Sequence, residues 1–120
     1  MSITAVTLQR PGQSGAALTT TTGTGSGAGN GVAFSNPGGV VLYLENTSGA
    51  NTPTVTIVTG KTVSGSAVAD VDVALATSQT KIVTSLDPDK FNQPSGANQG
   101  QIILQFDANF ADVEVAAIAQ

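Results

Sequence analysis

Apolar residues alternate with small polar ones along most of the chain, which is the period of a strand with one buried and one wet face. The clearest case is "VVLYLEN" (40–46), where Val40, Leu42 and Leu44 share one face and Val41, Tyr43 and Glu45 the other. "PTVTIVT" (53–59) points Val55 and Ile57 one way and its threonines the other, and "DVDVALA" (70–76) sets Val71, Val73 and Leu75 against Asp70 and Asp72. "TKIVTSL" (80–86) and "QIILQFD" (101–107) read as further strands. In "ADVEVAAIA" (111–119) helix-forming alanines follow an Asp, but the alternation of Val113, Val115 and Ala117 favours a strand. The connections "NPGG", "TSGAN" and "DPDKFNQPSGANQG" carry turn chemistry. Short strands separated by such turns predict an all-β fold, a single antiparallel β-sandwich of jelly-roll type over residues 32–120. The expected inward set is Leu42, Leu44, Val55, Ile57, Val73, Leu75, Ile82, Ile102, Leu104, Phe106, Val113 and Val115.

Residues 1–31 read differently. "ITAVTL" (3–8) and "AALTTTT" (16–22) are prone to form strands, yet "RPGQSG" separates them from each other and "GTGSGAGNG" (23–31) from the rest, as a flexible linker does. Two readings stand. In one, this part is an N-terminal arm that pairs with a neighbouring chain, with Ile3, Val6, Leu8 and Leu18 as its partner-binding anchors. In the other, both segments complete the home sandwich as edge strands. "GKTVSGSAVA" (60–69) reads as an irregular piece.

Composition narrows the chemistry. Of 120 residues only 10% are charged, the net charge is −4, and Gly, Ser, Thr, Asn and Ala fill the surface instead. Four bases give no basic footprint with which to displace counterions from nucleic acid. There is no His and no Cys, so the commonest general base, the usual nucleophile–base pairs and nearly all zinc geometries are missing. No apolar run approaches the ~20 residues of a membrane-spanning helix. "MSITAVTLQRPG" lacks a charged start before an apolar block, so the expected location is the cytoplasm in which the chain is made, or an assembly built there.

The carboxylate pairs were the remaining candidates. "DPDKFNQP" sets Asp87 and Asp89 one residue apart, but a calcium loop begun at Asp87 would have Phe91 at its fifth position, Asn92 at its sixth and Asn98 at its twelfth, where an acceptor, a glycine and a glutamate belong. Asp-Pro-Asp is an ordinary turn starter, with Phe91 tucked beneath the loop. Asp70 and Asp72 stand about 7 Å apart along a strand, a spacing that suits a glycosidase, but both lie on its polar face and the chain has no Trp. "GTGSGAGNG" lacks the lysine and the helix of a phosphate loop. The threonine run 19–22 reads as an exposed strand or edge. From the residues, the chain is a small β module that works by contact, without metal or cofactor.

The order "GNGVAFSNPGGVVLYLENTSG", "TVTIVTG", "VDVALATSQTKIVTSLDPDKFNQPSG", "GQIILQFDANFADVEVAAIA" resembles the head decoration, or cement, proteins of tailed bacteriophages. Asn36 and Gly38 carry the first turn, Asn46 ends the strong strand, Asp87, Pro88 and Phe91 form the elbow, and Val115 to Ile118 form the ending. The elbow departs from the family's pattern, being lengthened here by "SGANQG". The resemblance covers about residues 30–118. It implies an enzymatically inert structural protein of the virion, on the outer capsid surface, that binds the major capsid protein as a homotrimer and uses no cofactor, nucleic acid or membrane. A neck or tail component, or an adhesion-type binding module, is the alternative.

Overall fold

The computed structural model describes residues 3–27, 29–59, 62–63, 65–67 and 69–119. The chain is nearly all-β, with two mixed sheets whose inward side chains share one core, an arrangement compatible with a β-sandwich. The strands are β1 (Ile3–Ala5), β2 (Leu8–Gln9), β3 (Thr21–Thr22), β4 (Gly31–Ser35), β5 (Val40–Asn46), β6 (Thr54–Val58), β7 (Thr62–Val63), β8 (Ser66–Ala67), β9 (Val71–Ala74), β10 (Thr80–Val83), β11 (Gln101–Phe106) and β12 (Val113–Ala119). One turn of helix, α1 (Pro88–Phe91), and a 3-10 turn at Phe110–Asp112 interrupt them.

The first sheet runs β1-β4-β11-β6-β9, and the second β10-β5-β12-β2, with β3 also on β12. Phe34, Leu42, Leu44, Val55, Ile57, Ile102, Leu104, Val113 and Val115 are fully buried between them. The alternation read in the strands therefore corresponds to real faces. β12 is a strand, and its ambiguous start is the 3-10 turn. β7 and β8 make a small hairpin, while Gly60, Lys61, Ser64 and Val68 of the piece expected to be irregular lie outside the described residues.

Two expectations need correction. The sheets are not purely antiparallel, because β1 runs parallel to β4 and β2 parallel to β12. Those strands are consecutive, so the chain crosses in one direction from the edge of one sheet to the edge of the other. Ile82 is not inward but 66% exposed. Pairing places it opposite Tyr43, and Val83 opposite the buried Leu42, so β10 takes its phase from the stronger pattern of β5. Val73, on the edge strand β9, is only partly buried against the core.

The described residues of the glycine stretch 23–31 are hydrogen-bonded to the body and to one another. Gly23 N–H donates to the Val113 carbonyl at 2.8 Å, Gly27 N–H to Phe106 at 3.1 Å, and the Thr24 hydroxyl to the Gly31 carbonyl at 2.9 Å.

Candidate partner-binding face

Cross-strand register builds the outer face of the second sheet in rows. Thr80, Glu45, Glu114 and Thr22 lie side by side across β10, β5, β12 and β3. The next row is Ile82, Tyr43 and Ala116, and beyond it stand Val41, Ile118 and Gln9. Rows two residues apart are separated by about 7 Å. This face points away from the core, where alternation calls for polar residues. Instead its middle is apolar. Val41, Tyr43 and Ile118 are half-buried, and Ile82 is one of the two large apolar side chains exposed among the described residues, the other being Leu18.

Glu45 and Glu114 stand directly opposite one another, a like-charge juxtaposition that disfavours the pair. Neighbouring hydroxyls hold both. Thr20 and Thr22 donate to the two oxygens of Glu114 at 2.9 and 2.6 Å, and Tyr43 donates to Glu45 at 3.3 Å. The threonine run thus occupies itself with a carboxylate of its own chain.

Past the end of β10 the face opens into a groove of about 430 Å³ lined by Gly39–Val41 and Thr84–Pro88. Ser85, in its wall, has φ +60, a left-handed conformation rare outside glycine that costs about 1 kcal/mol or more. The elbow behind it is held by polar side chains. The Asp87 carboxylate accepts from the Asp89 N–H at 3.0 Å and caps α1, with Pro88 at the first helical position and Phe91 buried. This is the turn expected of Asp-Pro-Asp. Asn36, 2% exposed, donates to the Leu86 carbonyl at 2.9 Å and to the Asn92 side-chain oxygen at 2.8 Å, while Asn92 donates back to the Asn36 carbonyl at 2.8 Å. Removing one partner of such a network leaves buried groups unpaired. Asn36→Ala is expected to cost about 1–3 kcal/mol in denaturant unfolding, and to speed amide exchange at Asp87 and Phe91 more than in β11. Equal effects in both places would show that the network does not hold the groove.

The other carboxylates lie elsewhere. Asp72 accepts from the Thr56 hydroxyl at 2.8 Å and Asp70 from the Thr59 N–H at 2.9 Å, both on the exposed side of the first sheet's edge. Among the described residues no three of Asp and Glu come close enough to hold a metal ion.

The four residues expected as anchors are not brought together. Ile3 lies in β1 at the edge of the first sheet, Leu8 lies beside Ala117 in the second and packs on the core, and Val6, 6% exposed, is inside the core. Leu18 is 46% exposed in the exposed stretch 10–20. Reading by periodicity missed Ile82 and Ile118. The signal available was β5 itself, apolar at Val41 and Tyr43 on the face opposite Leu42 and Leu44, since a strand apolar on both faces is one whose outer face is covered. Comparison of the chain with protein-family models, curated proteins and solved structures returned no match.

Proposed function

We propose that the protein is a structural component of a tailed-phage virion that decorates the outside of the capsid and binds the major capsid protein through the outer face of the second sheet. The observation that carries this reading is the apolar middle of that face, above all Ile82 at 66% exposure beside Tyr43. In this reading the apolar row on the outer face of the sheet, with Ile82 standing out of it, is the area that a partner would cover. The resemblance of the turn, elbow and C-terminal residues to cement proteins supplies the identity of the partner, the trimeric state and the place on the outer surface. In this reading the chain performs no catalysis and needs no cofactor. Many modest contacts repeated over a symmetric lattice add up by avidity to resist the pressure of packaged DNA.

The fold in this reading is a reduced jelly roll. Its support is the strand order β4-β11-β6-β9 in one sheet and β10 beside β5 in the other, with the β7–β8 hairpin where a jelly roll would carry two full strands. The N-terminal segment is its exchangeable arm. β1 and β2 are short outermost strands on parallel ladders, followed by the exposed stretch 10–20, so a neighbour in the trimer can supply the same contacts.

Mass spectrometry of purified virions with copy counting tests the assignment. Hundreds of copies per particle are expected, and six or twelve would replace it with a neck or tail component. Ile82→Glu is expected to leave the melting temperature nearly unchanged, as exposed substitutions do, and to weaken shell binding at least about tenfold, or 1.4 kcal/mol. Undiminished binding would move the contact off this face.

A further inference from the structure

β10 ends the second sheet, and the register shows which of its backbone groups face outward. The Asn46 N–H donates to the Gln79 carbonyl at 2.9 Å, one step before the pair Thr80–Glu45. Antiparallel ladders alternate, so Lys81–Leu44 and Val83–Leu42 are hydrogen-bonded pairs too, whereas Thr80 and Ile82 direct both N–H and C=O away from β5. No described residue bonds to those groups. Above them Ile82 stands exposed beside Tyr43, and the groove at Thr84–Pro88 continues the line of the strand. The charges along this line are acidic at both ends: Glu45 and Glu114 at one and Asp87, in the groove wall, at the other, with Lys90 held over the Phe91 ring at 5.0 Å. Lys81 shares the opposite face with Leu44.

We propose that β10 accepts a strand from its partner: an extended segment, apolar at alternate positions and flanked by Lys or Arg, that exchanges backbone hydrogen bonds with Thr80 and Ile82, packs one side chain on Ile82 and Tyr43 and sends the next toward the groove. A second copy of this chain suits the edge poorly, because the base on its own β10, Lys81, lies on the face opposite Glu45 and Glu114. Main-chain pairing supplies the affinity, and the acidic ends select the segment. The inference rests on the reading of this face as the contact surface and adds how the partner is held.

The test uses the full-length protein and a synthetic peptide of alternating valine and threonine with lysine at each end, read by residue-resolved amide exchange. In the free protein Lys81 and Val83 are expected to be protected and Thr80 and Ile82 to exchange fast. At saturating peptide, Thr80 and Ile82 should slow at least tenfold while Lys81 and Val83 change little. Glutamate-ended or backbone N-methylated peptides should bind at least tenfold more weakly. Ile82→Pro removes an N–H that β5 does not use, so the fold should persist and the protection vanish. If that variant misfolds, Ile82→Lys, which sets a like charge against the basic peptide, serves in its place. Absence of binding at millimolar peptide, or protection without this alternation, overturns the proposal. Purified capsid shells form a separate arm. Shells that bind while Thr80 and Ile82 stay unprotected end the strand inference and leave the capsid reading intact. Peptide protection with no binding to shells ends the capsid reading and leaves the strand site.

Discussion

Replacing Gly31 with alanine is expected to be among the most damaging single changes in the chain, with a loss of roughly 2–6 kcal/mol from combined backbone strain and overpacking. Gly31 opens β4 at φ +129, a conformation that side chains rarely adopt, and a Cβ built there would lie 2.0 Å from the Leu104 carbonyl oxygen. That oxygen belongs to the backbone of a central strand, so it cannot swing aside as a flexible side chain would. Gly31 also pairs with Ile3 of β1, and its carbonyl accepts from Thr24. Distortion there loosens the N-terminal strand together with the sheet. Since a domain of this size has only about 5–15 kcal/mol of stability, a large drop in soluble yield and in the urea midpoint should follow. Gly27→Ala is the control. It too has positive φ, +79, but nothing lies within 4 Å of its Cβ position, so strain acts there without the clash. If both variants unfold at the same urea concentration, the close approach of β4 to β11 is not what requires glycine.

Leu104→Ala is expected to cost about 2–5 kcal/mol, the range for emptying a leucine site in a core that relaxes only in part. Leu104 is fully buried in β11, opposite Val32 of β4 on one side and Ile57 of β6 on the other. All three are inward residues on the hydrogen-bonded frame of the first sheet, which resists collapse into the void. Its neighbour Ile103 faces outward and is half-buried, so Ile103→Ala should cost clearly less. Equal costs, measured by urea unfolding, would mean that the two faces of β11 are reversed.

Much of this was legible in the chain. Period-two alternation is a local property, so the strands at 40–46, 54–58, 101–106 and 113–119 and their buried faces followed from neighbouring residues alone. Turn chemistry is local as well: Asp87, Pro88 and Asp89 specify a capped turn wherever they stand. The absence of His and Cys limited the chemistry before any fold was considered.

What long-range pairing decides was not legible. "ITAVTL" read as one strand, yet it divides at Val6, whose side chain enters the core while β1 and β2 join different sheets. Glycines at 23–31 read as slack, but Gly23 and Gly31 are there because other backbone comes too close for a Cβ. β10 shows the physical reason most plainly. By its own pattern Ile82 should turn inward, away from Lys81. Once β10 pairs with β5, a one-residue phase must be chosen, and the buried Leu42 and Leu44 outweigh a four-residue edge strand. Lys81 then goes to the inner face at the sheet's rim, where it is half-buried, a position that suits a side chain with a long apolar stem and a charged tip. Ile82 goes outward beside Tyr43, so the apolar row that forms the candidate contact face exists only because tertiary pairing overruled the local preference of its own strand.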